Sequence, residues 1–305
     1  MNRSKIANRS LEPDWRVSRL FDPAFLDRFV VAALALPNIS PGGLLPRGSV
    51  TITSREWLES VPFHDVMEDI GCGMSHAVVD ADVDLLPALW NELYRALRNR
   101  FGTRPGAGTH FVDGCVNGEG DFVLLVNIGS RMTEREMAEF DFERDYLRFR
   151  DRALEHHAVI WEDVSAIMGS CGDRVHLVHN DIDIEGNELI VRKGAVRTPA
   201  GAPVVIGSSF EDVVTVGNAR ASVAELWNVM VHGSGRRPTD ETAPETAVDQ
   251  RGIRRRIIIP DALDDALWRW HVPQFFRGSD EVSNAVDQYI EITDRLVPIA
   301  FMGGF

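Results

Sequence analysis

The part of the sequence that most constrains the fold lies between residues 174 and 217, where short apolar segments alternate with turns. Each segment has the length and the β-branched composition of a strand. The predicted strands are Val175–Val178, Glu188–Arg192, Val204–Ile206 and Val213–Val216. Along the whole chain, strands and helices intermix without the regular βαβ order of a parallel sheet. The sequence therefore predicts an α+β fold.

Apolar residues at helical spacing predict the main helices. The clearest case is 82–100, and a capping box predicts the start of a long helix over 133–167. On the second helix, His156 and His157 are expected at the surface. Further predicted elements are helices at 22–36, 219–230, 261–270 and 281–295, a loop at 37–43, and strands at 49–53, 76–79, 121–127, 254–259 and 297–301.

Composition limits the classes of function. With 305 residues, of which 44% are hydrophobic and 26% charged, the chain can bury a sizeable core. Its net charge of −14 argues against non-specific binding to nucleic acid, but it allows a local basic groove. Three cysteines are too few for a disulfide scaffold. Without a signal-peptide pattern or an apolar run of about 20 residues, we expect a soluble cytoplasmic protein that does not enter a membrane.

A turn over Asp69–Met74, with the letters DIGCGM, places a carboxylate and a thiol three residues apart. Asp69 and Cys72 can share one divalent cation, and the glycines let the backbone fold tightly around it. A buried cysteine beside glycines is also a common packing feature. The turn alone leaves both interpretations open.

Two histidines add metal-binding chemistry at the ends of predicted elements. His110 follows a glycine-rich loop, and His179 closes the first strand of the 174–217 region. A lone histidine on an apolar face is most often a core residue with satisfied hydrogen bonds. Because Asp69 and Cys72 also lie beside turns, the four side chains together predict a metal site, although distance along the sequence does not establish that they converge.

A glycine turn at 232–236, with the letters HGSGR, follows the predicted helix 219–230. Backbone N–H groups in such a turn can bind a phosphate, which Arg236 can hold bidentately beside His232 as a nucleophile or ligand. The alternative is a helix C-cap with incidental glycines. Lys193 also has two interpretations, because its ammonium can bind phosphate or pair with a carboxylate.

These segments together give the chain a resemblance to the RtcB family of RNA-splicing ligases. The letters DIGCGM match the metal-binding turn of the family at every position. The other similar segments occur in the family's order from about residue 36 to the C-terminus: Gly106-Ala107-Gly108-Thr109-His110-Phe111, Gly129-Ser130-Arg131, His179-Asn180, Arg192-Lys193-Gly194-Ala195, Gly207-Ser208 and His232-Gly233-Ser234-Gly235-Arg236. The chain looks like a short, divergent member of this family.

The resemblance implies a fold of layered β-sheets surrounded by helices, with a metal site in a central cleft. It implies one catalytic domain at 36–305 after an N-terminal helical segment at 1–35. The implied activity is GTP- and manganese-dependent ligation of an RNA 3′-phosphate or 2′,3′-cyclic phosphate to a 5′-hydroxyl. His232 would attack the α-phosphate of GTP and carry the guanylate as a covalent intermediate.

The same resemblance implies the site residues. The partners would be RNA ends and a nucleoside triphosphate, and two Mn²⁺ ions would share the thiolate of Cys72. The implied metal ligands are Asp69, Cys72, His110, His179 and Asn127. The implied nucleotide-binding residues are Thr109, Asp113, Ser208, His232, Gly233, Ser234, Gly235 and Arg236.

Several of these positions depart from the family pattern. Asn127 replaces a histidine ligand, and because asparagine is a poor ligand for such a metal, we expect one firm metal site and a weakened second site. Thr109 and Asp113 replace asparagine and glutamate, and Asn38 replaces an aspartate. Gly303 stands in place of a lysine that contacts guanine in the family. The class of chemistry is therefore better supported than the nucleotide or the RNA substrate.

Two other functions stay open. A metal-dependent phosphoesterase or other hydrolase needs fewer groups than a ligase, because a metal-activated water is sufficient. A catalytically inactive binding protein with the same fold needs fewer still. A ligase with a lysine nucleophile is nearly excluded, because Lys193 is the only lysine beyond Lys5.

Overall fold

The computed structural model describes residues 5–102, 110–130, 132–237, 249–268 and 271–304. Its helices are α1 Asp14–Leu20, α2 Pro23–Phe29, α3 Phe63–Val66, α4 Leu86–Phe101, α5 Glu134–Ala138, α6 Phe142–Ile167, α7 Gln250–Arg256, α8 Asp265–Trp268 and α9 Ser279–Val286. Its strands are β1 Ile6–Asn8, β2 Val30–Ser40, β3 Arg47–Ser54, β4 Gly73–Val78, β5 Phe111–Val116, β6 Phe122–Ile128, β7 Val175–Val178, β8 Asn180–Glu185, β9 Glu188–Lys193, β10 Ala195–Arg197, β11 Pro203–Ile206, β12 Val214–Ala219, β13 Val229–Val231 and β14 Ile290–Gly303.

The strands form layered sheets, which confirms the α+β class. The largest sheet has seven antiparallel strands in the order β11-β12-β14-β5-β6-β4-β7. A five-stranded sheet has the order β1-β2-β3-β9-β8, and β10 pairs with β13. The four strands predicted within 174–217 are confirmed as β7, β9, β11 and β12, with shifts of a few residues at their ends.

Two apolar clusters hold the helices against the sheets. One contains Trp90 of α4 and Trp161 of α6 and covers the seven-stranded sheet. The other joins Phe25 of α2, Trp57 and the start of α6 beneath the five-stranded sheet. The helix predicted at 82–100 is therefore confirmed as α4, whose apolar face packs in the first cluster. Among the helices of the described ranges, none combines the length and the apolar character needed to cross a bilayer.

The capping box at the start of the long helix is confirmed, but it caps a different helix from the one expected. Thr133 accepts a hydrogen bond from the backbone of Glu136, and the Glu136 side chain accepts one from the Thr133 backbone, which begins the five-residue α5. The helical path then breaks, and Asp141 caps a second start at α6. The predicted single helix over 133–167 is thus two helices.

The helix predicted at 22–36 is wrong in its second half. Asp22 caps α2 by accepting a hydrogen bond from Phe25 N–H, and the helix ends at Phe29. From Val30 the chain is strand β2, which pairs with β3 on one side and, in parallel, with β1 on the other. Pairing on both sides satisfies the backbone of this apolar segment, and this long-range effect outweighs its local helical spacing. The segment 1–35 therefore contains strands as well as helices over its described residues.

The predicted loop at 37–43 is partly a bulged strand. Ala35 pairs with Ser49 and Ser40 pairs with Arg47, so residues 36–39 of β2 lie opposite the single residue Gly48 of β3. Gly48 has a φ of +75°, and a Cβ atom there would lie 2.5 Å from Asn38 Oδ1. Only glycine allows the bulge to pass this closely. The bulge frees Asn38 from the strand ladder.

Three further predicted elements have a different structure. The predicted helix 219–230 is a 3₁₀ turn at Ala221–Leu226 followed by β13, with a positive φ at Trp227 and Asn228. His232 therefore follows a strand, and the alternative of a helix C-cap is wrong. The predicted basic strand 254–259 begins as helix α7, capped by Asp249. The predicted helix 281–295 ends early, because β14 begins at Ile290 and pairs with β12 and β5.

His157 is buried, so its predicted place at the surface is wrong. Its Nε2–H donates to Ile128 O at 3.1 Å, and its Nδ1 accepts from Ser75 Oγ at 2.9 Å. Ser75 Oγ in turn accepts from Trp161 Nε1–H at 2.8 Å. Burial, together with the ring of His176 at 4.3 Å, lowers the pKa of His157 to about 3. The network therefore holds a neutral imidazole between β4, β6 and α6.

We predict that this histidine destabilises the fold in acid. Between pH 6.5 and 3 the unfolded chain protonates His157 while the folded chain does not, so stability falls by up to about 1.4 kcal/mol per pH unit. In His157→Gln, urea unfolding measured from pH 4 to 7 should show a shallower loss of stability. His64→Gln, at a histidine of α3 whose side chain is 40% exposed, is the matched control. A slope in His157→Gln equal to that of the unaltered chain would contradict the prediction.

Candidate metal and nucleotide site

Main-chain hydrogen bonds tie together the turns that carry the predicted site residues. His179 N–H donates to Cys72 O at 2.9 Å, and Ala195 N–H donates to His179 O at 3.0 Å. Ala195 then lies opposite Val231 in the β10–β13 pair. His232, the next residue, is therefore brought beside the turn of Cys72. The structure thus joins segments that are separated by more than a hundred residues.

Asp69, Cys72 and His110 form a possible metal-binding group. Their ligand atoms all lie within 4.8 Å of one another. Among the described residues, this is the group of histidine, cysteine and acidic side chains that is close enough to share a metal ion. His110 Nε2 lies 2.6 Å from Asp69 Oδ2, and His110 Nδ1 has no hydrogen-bond partner among the described residues. Three of the four side chains that were predicted to form a metal site therefore lie together, and His179 is not part of the group.

The surroundings of this triad fit a cation. A Cβ atom at Gly129 would lie 2.1 Å from Asp69 Oδ1, so the carboxylate occupies space that only a glycine leaves open. Burial, and then the nearby charge of Asp69, raises the pKa of the Cys72 thiol well above its usual value. A carboxylate, a thiol and an imidazole in one buried position suit a divalent transition metal, because such an ion binds the thiolate form of cysteine.

The residues predicted for a second ion are less closely grouped. Asn127 on β6 lies with its Oδ1 4.0 Å from Cys72 Sγ. The ring of His179 stacks on that of His232, with centroids 4.2 Å apart. Burial, with the charges of neighbouring histidines, lowers the pKa of His179 well below its usual value, which keeps it neutral. His179 therefore lies between the triad and His232.

His232 is held in one tautomer. Its Nδ1 lies 2.8 Å from Gly194 O, a group that can only accept, so Nδ1 carries the proton and Nε2 carries the lone pair. Asn38 Nδ2 donates to the same carbonyl at 3.1 Å. Burial lowers the pKa of His232, against the opposite effect of the Gly194 carbonyl. The imidazole is thus neutral at pH 7, with its Nδ1–H directed at Gly194 O.

The glycine turn after His232 packs on the predicted Gly207-Ser208 segment. Gly233 and Gly207 form a parallel bridge, and Ser234 N–H donates to Gly207 O at 2.7 Å. The hydroxyls of Ser208 and Ser234 lie 3.1 Å apart, and Ser208 donates to Asp212 Oδ2 at 2.9 Å. The predicted nucleotide-binding segments are therefore neighbours in the fold.

Arg236 and Gly235 lie on the other side of this turn. The Arg236 guanidinium lies over the ring of Phe276, 4.9 Å from its centroid. Arg277 Nη1–H donates to Arg236 O at 2.8 Å, and the buried Arg277 forms an ion pair with Glu12 at 2.8 Å. A Cβ atom at Gly235 would clash with the backbone of residue 38 at 2.5 Å. The turn is therefore fixed from both sides.

Lys193 contacts backbone carbonyls rather than a carboxylate of the described residues, and its binding of phosphate stays a prediction. Its ammonium donates to Val66 O at 2.8 Å and to Gly42 O. Burial lowers its pKa to about 8, so it stays charged at neutral pH. Lys193 thus links the end of β9 to the segment before Asp69 and to the β2–β3 connection, as a structural cation.

The remaining predicted nucleotide-binding positions differ in their setting. Thr109 lies outside the described residues. Asp113 is buried on β5, and burial raises its pKa well above its usual value, as it does for the neighbouring Cys115. A Cβ atom at Gly303 would lie 3.1 Å from the Phe301 ring and 3.2 Å from His110 O. The position of the family lysine is therefore closed to a side chain unless its neighbours move.

Three residues around His232 were not predicted as part of the site. Asn38 was noted only as a departure from the family pattern, yet its Nδ2 lies 3.3 Å from His232 Nδ1. Asp212 accepts from Ser279 N–H at 2.7 Å as well as from Ser208. Gly194 supplies the carbonyl that orients the imidazole. The sequence could have indicated Asn38, because it differs from the aspartate of the family pattern. The contacts of Asp212 and Gly194 depend on the fold and have no signal in the sequence.

A comparison with protein-family models found no family that matches this chain, and a comparison with curated proteins found no match.

We predict that Gly129→Ala weakens the binding of a metal ion to the Asp69–Cys72–His110 triad. The new Cβ atom would overlap the Asp69 carboxylate, so the affinity for Co²⁺ should fall at least ten- to a hundredfold, as for changes that reorient a ligand. The cobalt–thiolate absorption band measures the binding. Gly172→Ala is the control, because a Cβ atom there would meet its nearest neighbour at an ordinary 3.7 Å. An unchanged band and affinity in a folded Gly129→Ala protein would show that Asp69 is not a ligand.

Proposed function

We propose that this protein is an RtcB-like RNA ligase that uses His232 as its nucleophile. The observation that carries the proposal is the fixed tautomer of His232, whose Nδ1–H is bound by Gly194 O beside the Asp69–Cys72–His110 triad. A neutral imidazole with its Nε2 lone pair free of the proton is the form that attacks phosphorus. The resemblance of the motifs supplies the substrate class, GTP with Mn²⁺, and RNA ends with a 3′-phosphate and a 5′-hydroxyl.

In the first step, His232 Nε2 forms a bond to the α-phosphorus of GTP as the bond to the β-phosphate oxygen breaks. Pyrophosphate leaves with the electron pair, and the imidazole becomes a cation with its proton still on Nδ1. Gly194 O accepts that N–H, and the carbonyl dipole stabilises the positive charge. An RNA 3′-phosphate then takes the guanylate, and the 5′-hydroxyl displaces GMP to join the ends.

Asp69, Cys72 and His110 are the residues that would hold a cation in this reaction, with His179 next to them. A divalent ion bound there would offset the negative charge of the phosphates. Ser208 and Ser234 would hold the nucleotide phosphates through their hydroxyls, which lie 3.1 Å apart. Arg236 would contact a phosphate from the far end of the turn.

The environment of Gly303 bears on which nucleotide base the site accepts. Gly303 supplies no side chain where the family has a lysine that contacts guanine, and a Cβ atom there would require Phe301 or His110 to move. Without that contact a site loses much of its ability to reject other bases. We therefore expect a broader nucleotide preference than GTP alone.

One observation favours a second candidate, a metal-dependent phosphoesterase. The compact triad supplies three protein ligands, and three ligands with an open position are typical of hydrolytic metal sites. The two candidates differ in whether a covalent protein–nucleotide bond forms, so one labelling experiment separates them.

We predict that incubation with Mn²⁺ and GTP labelled at its α-phosphate transfers label to the protein. The bond should be acid-labile, as expected for a phosphoramidate on histidine, and label should be lost in His232→Ala. His64→Ala, at a half-buried histidine of α3, should label normally. Autoradiography after gel electrophoresis, repeated with the other nucleoside triphosphates, measures the transfer.

If no nucleotide labels a metal-loaded protein, the ligase proposal fails. Release of phosphate from a 2′,3′-cyclic phosphate or a monoester by that unlabelled protein would then support the hydrolase. An unlabelled protein that also hydrolyses nothing would support a binding protein without catalysis.

We also predict that Asn127→His adds a second metal ion. Its ring would replace an amide whose oxygen lies 4.0 Å from Cys72 Sγ, on the side of the thiol where the family has a histidine. Metal content after dialysis, measured by atomic emission, should rise from about one to about two ions per chain. Asn117→His, in the turn between β5 and β6, is the control. An unchanged count in Asn127→His would show that residue 127 does not face a second site.

A further inference from the structure

Cationic side chains gather around His232 in a chain that is strongly acidic overall. Arg47, Lys193 and Arg236 lie near it, whereas the whole protein has a net charge of −14. Lys193 is already held by two backbone carbonyls. Arg47 is different, because its side chain is 47% exposed and reaches the same region from β3.

Close backbone contacts place Arg47 beside the nucleophile. It directly precedes Gly48, the residue opposite the bulge of β2. A Cβ atom on Gly194 would lie 3.0 Å from Gly48 N and also 3.0 Å from His232 Cε1, so these three residues meet at one point. The side chain of Arg47 therefore starts one residue before Gly48, which packs against Gly194, the residue whose carbonyl orients His232.

The charges that face Arg47 do not neutralise it. Its Nη1–H donates to Pro41 O at 2.8 Å, and the Glu68 carboxylate lies 3.8 Å from Nη2 with both side chains about half exposed. Such a distant, solvated ion pair contributes little. Arg236 starts from the same place, because the glycines next to both arginines pack against Asn38. A Cβ atom on Gly235 would lie 2.5 Å from Asn38 O, and one on Gly48 would lie 2.5 Å from Asn38 Oδ1.

Two arginine side chains that start beside Asn38, next to His232, are placed to bind one anion. Arginine presents a planar fork of N–H donors that matches the oxygens of a phosphoryl group. Arg236 is fixed on one side by its contact with Phe276, and the Pro41 carbonyl holds one edge of Arg47.

We propose that Arg47 and Arg236 form a phosphoryl-binding clamp next to the phosphate that His232 attacks. The existence of an anion site rests on these two side chains, whereas the source of the phosphoryl group rests on the function proposed above. In that reaction the source is either the β,γ-phosphates of the nucleoside triphosphate or the 3′-phosphate of the RNA. Both carry the same oxygens, and the two steps of the reaction separate them.

The first experiment measures anion binding without catalysis. Inorganic pyrophosphate is titrated into the full chain in the presence of EDTA and followed by calorimetry. Arg47→Gln should bind roughly ten- to a hundredfold more weakly, the effect of losing charge-assisted hydrogen bonds, and Arg47→Lys should fall between the two. Arg95→Gln, at an exposed arginine of α4, is the matched control. Equal affinity in Arg47→Gln and the unaltered chain, or no binding by the unaltered chain, would overturn the clamp.

The second experiment identifies the source. If the clamp holds the β,γ-phosphates, Arg47→Gln should raise the nucleotide concentration needed for half-maximal labelling of His232 by tenfold or more. If it holds the RNA, labelling should be normal, and transfer from pre-labelled protein to a 3′-phosphate oligonucleotide should be slowed by a similar factor. Normal rates in both steps would overturn the assignment to this reaction.

The two proposals fail in different ways. If no nucleotide labels the unaltered chain while Arg47→Gln still weakens pyrophosphate binding, the clamp stands and the ligase function falls. If His232 is labelled but Arg47→Gln behaves as Arg95→Gln does in every assay, the ligase function stands and the clamp falls.

Discussion

The candidate site depends on two main-chain hydrogen bonds, from His179 N–H to Cys72 O and from Ala195 N–H to His179 O. They bring the turn of Cys72, the start of β8 and the start of β10 into contact, so the side chains of the candidate site lie close together. The triad lies at one end of this connection and His232 at the other, with the His179 ring between them. Any chemistry at this place requires that the sheets first assemble, because no single element carries more than part of the site.

Local patterns were sufficient for the fold where the surroundings agree with them. The strands of 174–217 and helix α4 follow directly from β-branched content and helical spacing. Residues 30–36 and 290–295 have helical spacing, yet they lie in β2 and β14 because distant strands pair with them. β3 and β1 pair with β2 over this range, and β12 pairs with β14. Nothing in a short window of sequence contains that information.

The site was predictable to the extent that it lies in short motifs. Asp69 and Cys72 share a turn, and His232 precedes its own glycines, so their types and spacing make them candidates. The candidates become a predicted site only when the motifs are taken together. Asp212 and Arg47 have no such signal, because they reach the site through the pairing of distant segments. His157 shows the same limit in the core, since its hydrogen bonds come from β4 and β6.

In the bulge of β2 opposite Gly48, residues that contact His232 do not also hold the register of the sheet. Residues 36–39 have no partner in the ladder with β3, so a change at Asn38 alters the environment of the imidazole without moving the register of the sheet. The scaffold and the reactivity of the histidine can therefore vary independently during evolution.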